Sequence, residues 1–242
     1  MKRIFIFSII LISFGTIAKE TFAYDKKVKG SGNVVSLKRN VSPFQKIDVD
    51  GVFDIYLVQG KEESLVVETD DNIQQYIITK VEGNTLKIRN KNGISLTQTT
   101  KMNIYITFRN IYDLKLNGVC NVKGKEELMF DNFSININSV GNVNLKLKSN
   151  NLEINSLGVG DCILSGRTKS LYIKLTGVGG VDSERLIADN VSIKSSGVGN
   201  TTVYALKELN IYTSGVGNVT YYGDAQIKSI NSSGVGKIKK MK

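Results

Sequence analysis

Gly158-Val159-Gly160-Asp161-Cys162, Gly177-Val178-Gly179-Gly180-Val181, Gly197-Val198-Gly199-Asn200-Thr201, Gly215-Val216-Gly217-Asn218-Val219 and Gly234-Val235-Gly236-Lys237-Ile238 are one phrase written five times. Two looser copies stand before them, Gly118-Val119-Cys120-Asn121-Val122 and Ser139-Val140-Gly141-Asn142-Val143. The third positions fall at 120, 141, 160, 179, 199, 217 and 236, a period near 19 residues. A period so steady is the mark of a repeat architecture. Six residues before each third position stand Leu114, Ile135, Ile154, Ile173, Ile193, Ile211 and Ile230, all aliphatic. Eight before stand Tyr112, Phe133, Leu152, Leu171, Val191, Leu209 and Lys228, apolar until the last. Between these rows lie Asp113, Ser134, Glu153, Tyr172, Ser192, Asn210 and Ser229, which gives the alternation of a strand with one buried face.

A helical repeat does not fit. The spacing is 2 rather than 3.6, β-branched residues dominate, and two glycines per unit would cost a short helix about 1 kcal/mol each. Nineteen residues at roughly 3.3 Å make a closed path near 60 Å, enough for a flattened coil of two or three strands. The expected fold is all-β, a single-stranded parallel β-helix (β-solenoid) whose coils stack like on like. Gly-x-Gly is then the corner, where neighbouring backbones approach closely. The following residues Asn121, Asn142, Asp161, Asn200 and Asn218 are expected to form a ladder along it.

Upstream, Gly51-Val52-Phe53-Asp54-Ile55 and Gly30-Ser31-Gly32-Asn33-Val34 repeat the phrase, so the solenoid is expected to begin at once. Between Phe53 and Cys120 the phrase is missing. Leu65-Val66-Val67, Leu86-Lys87-Ile88 and Met102 to Phe108 still read as strands. Asp70-Asp71 followed by Ile73, Tyr76, Ile77 and Val81 has helical spacing, with Gly83 beyond it. One short helix near 72–81, capped by an aspartate and covering an open edge, is expected. At the other end four lysines among the last six residues would discourage edge-to-edge growth, and Lys228 breaks its apolar row.

Residues 1–23 read as a secretory signal: Lys2 and Arg3, the apolar run Ile4 to Ile12, and small residues before a cleavage site at Ala23 or at Ala18. The apolar run falls short of the roughly 20 residues a membrane span needs. A single domain over 24–242 is expected, exported to the periplasm, the outer cell surface or the medium, with no transmembrane segment after cleavage. Removing 1–23 takes away Lys2, Arg3, Lys19 and Glu20 and lowers the formal charge from +10 to +8. That surplus suits an anionic polysaccharide, lipopolysaccharide or a surface protein. Nucleic acid is a poor partner, because the lysines are scattered and no nucleic-acid motif is present.

The chain has no histidine, which removes Ser-His-Asp and Cys-His catalysis and imidazole metal sites. Asp48, Asp50 and Asp54 are the best remaining carboxylate group, and solvated strand edges commonly look the same. The corner residues are mostly Asn, too little charge for a calcium ladder. No catalytic residue, metal ligand or cofactor is therefore assigned. Cys120 and Cys162 fall two coils apart, near 10 Å at about 4.8 Å per coil, so two unpaired thiols are expected, Cys162 buried in a valine's place. Outward Tyr172, Lys174, Lys194 and Tyr212 share one expected face, a mixture suited to sugar stacking and anionic groups.

The opening Ile47-Asp48-Val49-Asp50-Gly51-Val52-Phe53-Asp54-Ile55-Tyr56-Leu57, the Gly-Val-Gly-Asn series and the closing Val219-Thr220-Tyr221-Tyr222-Gly223-Asp224 carry a resemblance. The sequence resembles, over nearly all of 24–242, the bacterial exported proteins called putative auto-transporter adhesins with a head GIN domain. The resemblance implies a parallel β-helix at the periplasm or cell surface with an adhesin-like binding role. No translocator barrel follows within the sequence, so only the passenger-like architecture is expected. The rival reading is a carbohydrate-active β-helix enzyme, a polysaccharide lyase or hydrolase, which would need clustered carboxylates or basic residues in a cleft.

Overall fold

The computed structural model describes residues 26–242. The signal segment expected at 1–23 lies outside them. The main sheet runs, from its carboxy-terminal edge, through Ile238–Lys240, Val219–Tyr222, Thr201–Thr213, Val181–Ser195, Cys162–Leu175, Val143–Ser156, Asn132–Val140, Asp113–Met129 and Lys46–Gln59. All of these neighbours are parallel, each strand lying on the one a coil earlier.

Like does sit on like. Ile135, Ile154, Ile173, Ile193, Ile211 and Ile230 are successive partners, and Leu114 and Ile47 continue the column downward. From Ile47 to Ile211 every member is buried. Burying an isoleucine contributes about 2 kcal/mol, so such a column is the main source of stability along the axis. Val52, Val119, Val140, Val159, Val178, Val198, Val216 and Val235 form one continuous column at the corner. These valines are about half exposed, because the corner aims them outward between two glycine columns.

The spread of the period is absorbed in the backbone. Register shifts fall between Ile163 and Ser165, between Ser183 and Ile187, and between Asn144 and Lys146, all on the wall that follows the corner. The wall that precedes it, from Asn151 to Ser156 and its stacked equivalents, stays in register over the central coils. At the last coil a shift after Leu209 pairs Ile227, not Lys228, with Leu209. Lys228 therefore does not replace the aliphatic residue of its row; it reaches Glu208 at 3.4 Å.

The amino-terminal region departs from expectation in two ways. The stack begins at Lys46–Gln59, which pairs directly with Asp113–Met129 over twelve residues, each partner 67 positions further along the chain. Val34–Arg39 runs antiparallel to Ser64–Asp70, and Lys26–Lys29 pairs with Ile94–Thr97 in a separate two-stranded sheet, so Gly30-Ser31-Gly32 is not a coil corner. The helix expected over 72–81 is one 3-10 turn at Gln74–Tyr76, and Ile77–Glu82 forms a strand antiparallel to Thr85–Asn90. β-Branched Ile77, Ile78, Thr79 and Val81 prefer the pleated surface, and the Gly83-Asn84 turn returns the chain for pairing. Met102–Phe108 and Thr85–Asn90 continue parallel from the first coil, and antiparallel strands then close the sheet. The open end of the core is thus covered by a mixed sheet.

Nor does either aspartate cap that turn. Asp70 is fully buried and accepts from the backbone amides of Gly32 at 2.6 Å and Thr100 at 2.8 Å and from the Thr100 hydroxyl at 3.0 Å. Burial pushes its pKa upward, but these donors outweigh it and hold the carboxyl below its ordinary value. Asp71 accepts from the Ser31 hydroxyl and the Asn33 amide, tying the amino-terminal strand to the cap.

Candidate outer-wall binding site

In each coil the residues seven and five before the third position of the phrase point outward from the in-register wall. The first column holds Ser134, Glu153, Tyr172, Ser192 and Asn210; the second holds Asn136, Asn155, Lys174, Lys194 and Tyr212. Strand alternation fixes this arrangement, since the positions between them are core isoleucines. The structure places Tyr172, Lys174, Lys194 and Tyr212 on one wall in two neighbouring columns. Lys194 Nζ lies 5.9 Å from the Tyr172 ring centroid, and Lys174, Lys194 and Tyr212 share a depression of about 570 Å³ with serines and threonines of adjacent coils. Tyr172 is half-buried, while the two lysines and Tyr212 are exposed.

A larger groove of about 1240 Å³ runs along the same wall beside the turn that enters it. Its floor is the first column together with Asn132, Asn151, Ser170 and Asn190, and one end is built from Tyr112, Met129 and Phe130. The eight-before row places Tyr112 inward, yet it is 41% exposed because Ile111 takes the buried position beside it. Phe130 stacks between Phe108 and Phe133, which anchors this end wall to the core. Gln59 buttresses it from the first coil, donating to the carbonyls of Arg109 and Met129 and accepting from the Met129 amide. This wall is invisible to the repeat pattern because Met129 and Phe130 lie where a strand ends, outside the repeated phrase, and Gln59 comes from a coil 70 positions away.

The three aspartates singled out in the first coil, Asp48, Asp50 and Asp54, are each held by a neighbouring side chain. Asp48 and Asp50 accept from Arg89 at 3.0 and 2.9 Å, and Asp54 accepts from the Asn121 amide at 2.8 Å. Among the described residues no group of three or more His, Cys, Asp or Glu side chains is arranged to hold a metal. Asp113 is the one carboxyl near the wall whose pKa is raised, chiefly by burial, opposed by Lys46 and by the Asn136 hydrogen bond. Both cysteines are buried and unpaired, and burial pushes each thiol up to about 12. Cys162 stands in a column with Val143 and Val181, as a small hydrophobe. Among the described residues no helix is long and apolar enough to cross a membrane.

A family model described as "Putative auto-transporter adhesin, head GIN domain" matches residues 43–225. Among solved structures, a protein described as a putative adhesin from Bacteroides fragilis NCTC 9343 is 32% identical with a TM-score of 0.86, the match covering 88% of this chain and all of that one. A putative adhesin from Parabacteroides merdae ATCC 43184 is 19% identical with a TM-score of 0.68, covering 88% of this chain and 99% of that one. A protein called a putative lipid binding protein, from Parabacteroides distasonis ATCC 8503, is 21% identical with a TM-score of 0.65, covering 90% of this chain and all of that one. The last two share the fold. No curated protein matches the sequence.

Proposed function

The chain belongs to the family described as "Putative auto-transporter adhesin, head GIN domain", and from that membership we propose that it is an exported, non-enzymatic module of the cell envelope or surface that binds a polymer along one wall of its solenoid. The observation that carries the reading is the clustering of Tyr172, Lys174, Lys194 and Tyr212 in two adjacent outward columns, with the Lys194 ammonium over the Tyr172 ring. Two ammonium groups beside tyrosine rings favour acidic groups carried on a sugar or lipid-sugar chain, as in anionic polysaccharide or lipopolysaccharide, or an acidic surface protein. Export rests on the signal at 1–23. The enzyme reading is less well supported, since Asp48, Asp50 and Asp54 are each held by a neighbouring side chain rather than facing one another across a cleft.

The test is binding of the purified mature chain to immobilised lipopolysaccharide and polygalacturonate. Changing Lys174 and Lys194 together to alanine should weaken capture about tenfold and flatten its salt dependence. Capture unaffected by that pair, or polysaccharide turnover abolished by Asp48→Asn, would overturn the reading.

A further inference from the structure

We infer that the large groove beside the lysine cluster is a site for uncharged sugar residues, a glycan segment lying parallel to the solenoid axis. The inference rests on the reading that this wall binds a polymer, and it assigns the groove a different chemistry from the lysine patch. Lys and Arg make up 32 of 242 residues, yet among the described residues none lines the groove. Among the described residues its only charged lining groups are Asp131 and Glu153, which would repel phosphate, sulfate or uronate groups. Apart from the Tyr172 ring, which it shares with the lysine patch, the rest of the floor is neutral amide and hydroxyl, chiefly Asn132, Asn151, Asn190, Asn210, Ser170 and Ser192. Asn151 donates to Asn132 at 2.7 Å; the side chains of Asn190, Asn210 and Ser192 make no hydrogen bond among the described residues. Carboxylate, amide and hydroxyl groups spaced one rung apart are acceptors and donors for rows of sugar hydroxyls.

The end wall supplies the apolar part. Met129 is 52% exposed and Tyr112 41%, beside half-buried Phe130, so a sugar's C–H face has a platform to lie against. Lys46 sits 5.2 Å from the Tyr112 ring centroid and Asn84 donates to its hydroxyl at 3.1 Å, which fixes the ring's orientation before any ligand arrives. From the coil of Tyr112 to Asn210 the groove spans five rung steps, roughly 24 Å at about 4.8 Å each, room for several sugar units. Other occupants fit less well. A peptide strand gains nothing from this wall, whose backbone is already paired between coils, and an acyl chain would leave the amides of the floor without water or partners.

The experiment is titration calorimetry of the full mature chain with neutral hexasaccharides (chitohexaose, cellohexaose, xylohexaose and mannohexaose) and with polygalacturonate, at low and high salt. Two variant pairs are compared, Tyr112→Ala with Glu153→Ala, and Lys174→Ala with Lys194→Ala. All four substitutions are on exposed side chains, and a Ser192→Trp variant that fills the floor serves as a third. The expected result is a neutral hexasaccharide whose affinity is unchanged by salt, falls about tenfold in the first pair and in Ser192→Trp, and shifts less than about twofold in the lysine pair. Binding of polygalacturonate alone, lost only in the lysine pair, would overturn the groove assignment and leave the polymer-binding reading standing. Binding of neither class would overturn both.

Discussion

At Gly160 the backbone has φ +137°, and a Cβ there would lie 2.1 Å from the carbonyl oxygen of Gly141 one coil below. The corner is therefore closed to side chains by contact with the neighbouring coil as well as by its own torsion angles. Gly160→Ala should destabilise the protein by about 3 kcal/mol or more in urea unfolding, whereas Gly83→Ala, with φ +61° and open space around it, should cost nearer 1 kcal/mol. Equal losses would mean that the coils do not meet at the corner. The residue after that glycine makes the ladder foreseen from Asn121, Asn142, Asp161, Asn200 and Asn218, though mostly by a different bond. Each side-chain oxygen accepts the backbone amide of the next coil: Asn121 from Asn142 at 3.0 Å, Asn142 from Asp161 at 2.9 Å, Asp161 from Gly180 at 2.7 Å, Asn200 from Asn218 at 2.8 Å. The row was legible in the sequence because it repeats, while the bond's partner was not, because Asn supplies donor and acceptor alike. Cys120 and Cys162 carry a second residue-level expectation. With both thiols buried and pushed up to about 12, neither should react with iodoacetamide in the native protein at pH 8, and both should react in denaturant. Native labelling of either would contradict its place in the core.

The cap is the element that sequence periodicity misread. Met102 to Phe108, by its alternation, and Leu86-Lys87-Ile88 read as strands, and both are: Ile104, Ile106, Phe108, Leu86 and Ile88 are all buried. What alternation does not carry is direction, and the antiparallel turn from solenoid into cap depends on partners 26 to 43 positions away. Ile73, Tyr76, Ile77 and Val81 match a helical spacing by coincidence, while the hairpin with Thr85–Asn90 overrides it. Asp70 is the polar joint of this element, and its burial on three donors could not be read from two adjacent aspartates. Asp70→Ala should cost on the order of 2 kcal/mol by stranding the Gly32 and Thr100 amides. Because its folded pKa lies below the unfolded one, the ionised joint contributes stability above the ordinary aspartate value near 3.9. That contribution disappears as pH falls through the lowered folded value. Acid titration of stability below about pH 4 should therefore be shallower in Asp70→Ala than in the parent. An identical acid slope would show that the carboxylate does not hold the cap.

On the scale of the whole molecule, one end is covered by the mixed sheet, and at the other, among the described residues, Ile227 and Ile230 are exposed and Lys237 and Lys239 stand at the edge. These lysines are read as a barrier to pairing with another chain, so changing both to threonine should produce higher oligomers in light scattering at low salt. A scattering signal unchanged from the parent's would move them from that role to ligand contact. The four outward residues were legible together because a single register fixes every column of the wall. The groove was not, since Tyr112 reads as an inward position, and Met129 ends a strand and Phe130 follows it where the repeated phrase gives no marker. Wall, corner and groove all depend on coils stacked in register, most directly visible in the partnership of Val159 with Val178. With Cys120→Ala and Cys162→Val as background, cysteines placed at 159 and 178 should form an intramolecular disulfide, their Cα atoms about one rung apart near 4.8 Å. Cysteines at 159 and 198, two rungs apart, should not. Mass spectrometry that finds the bond in the first pair alone is the result the stack requires; no bond there, or equal bonding in both pairs, would contradict it.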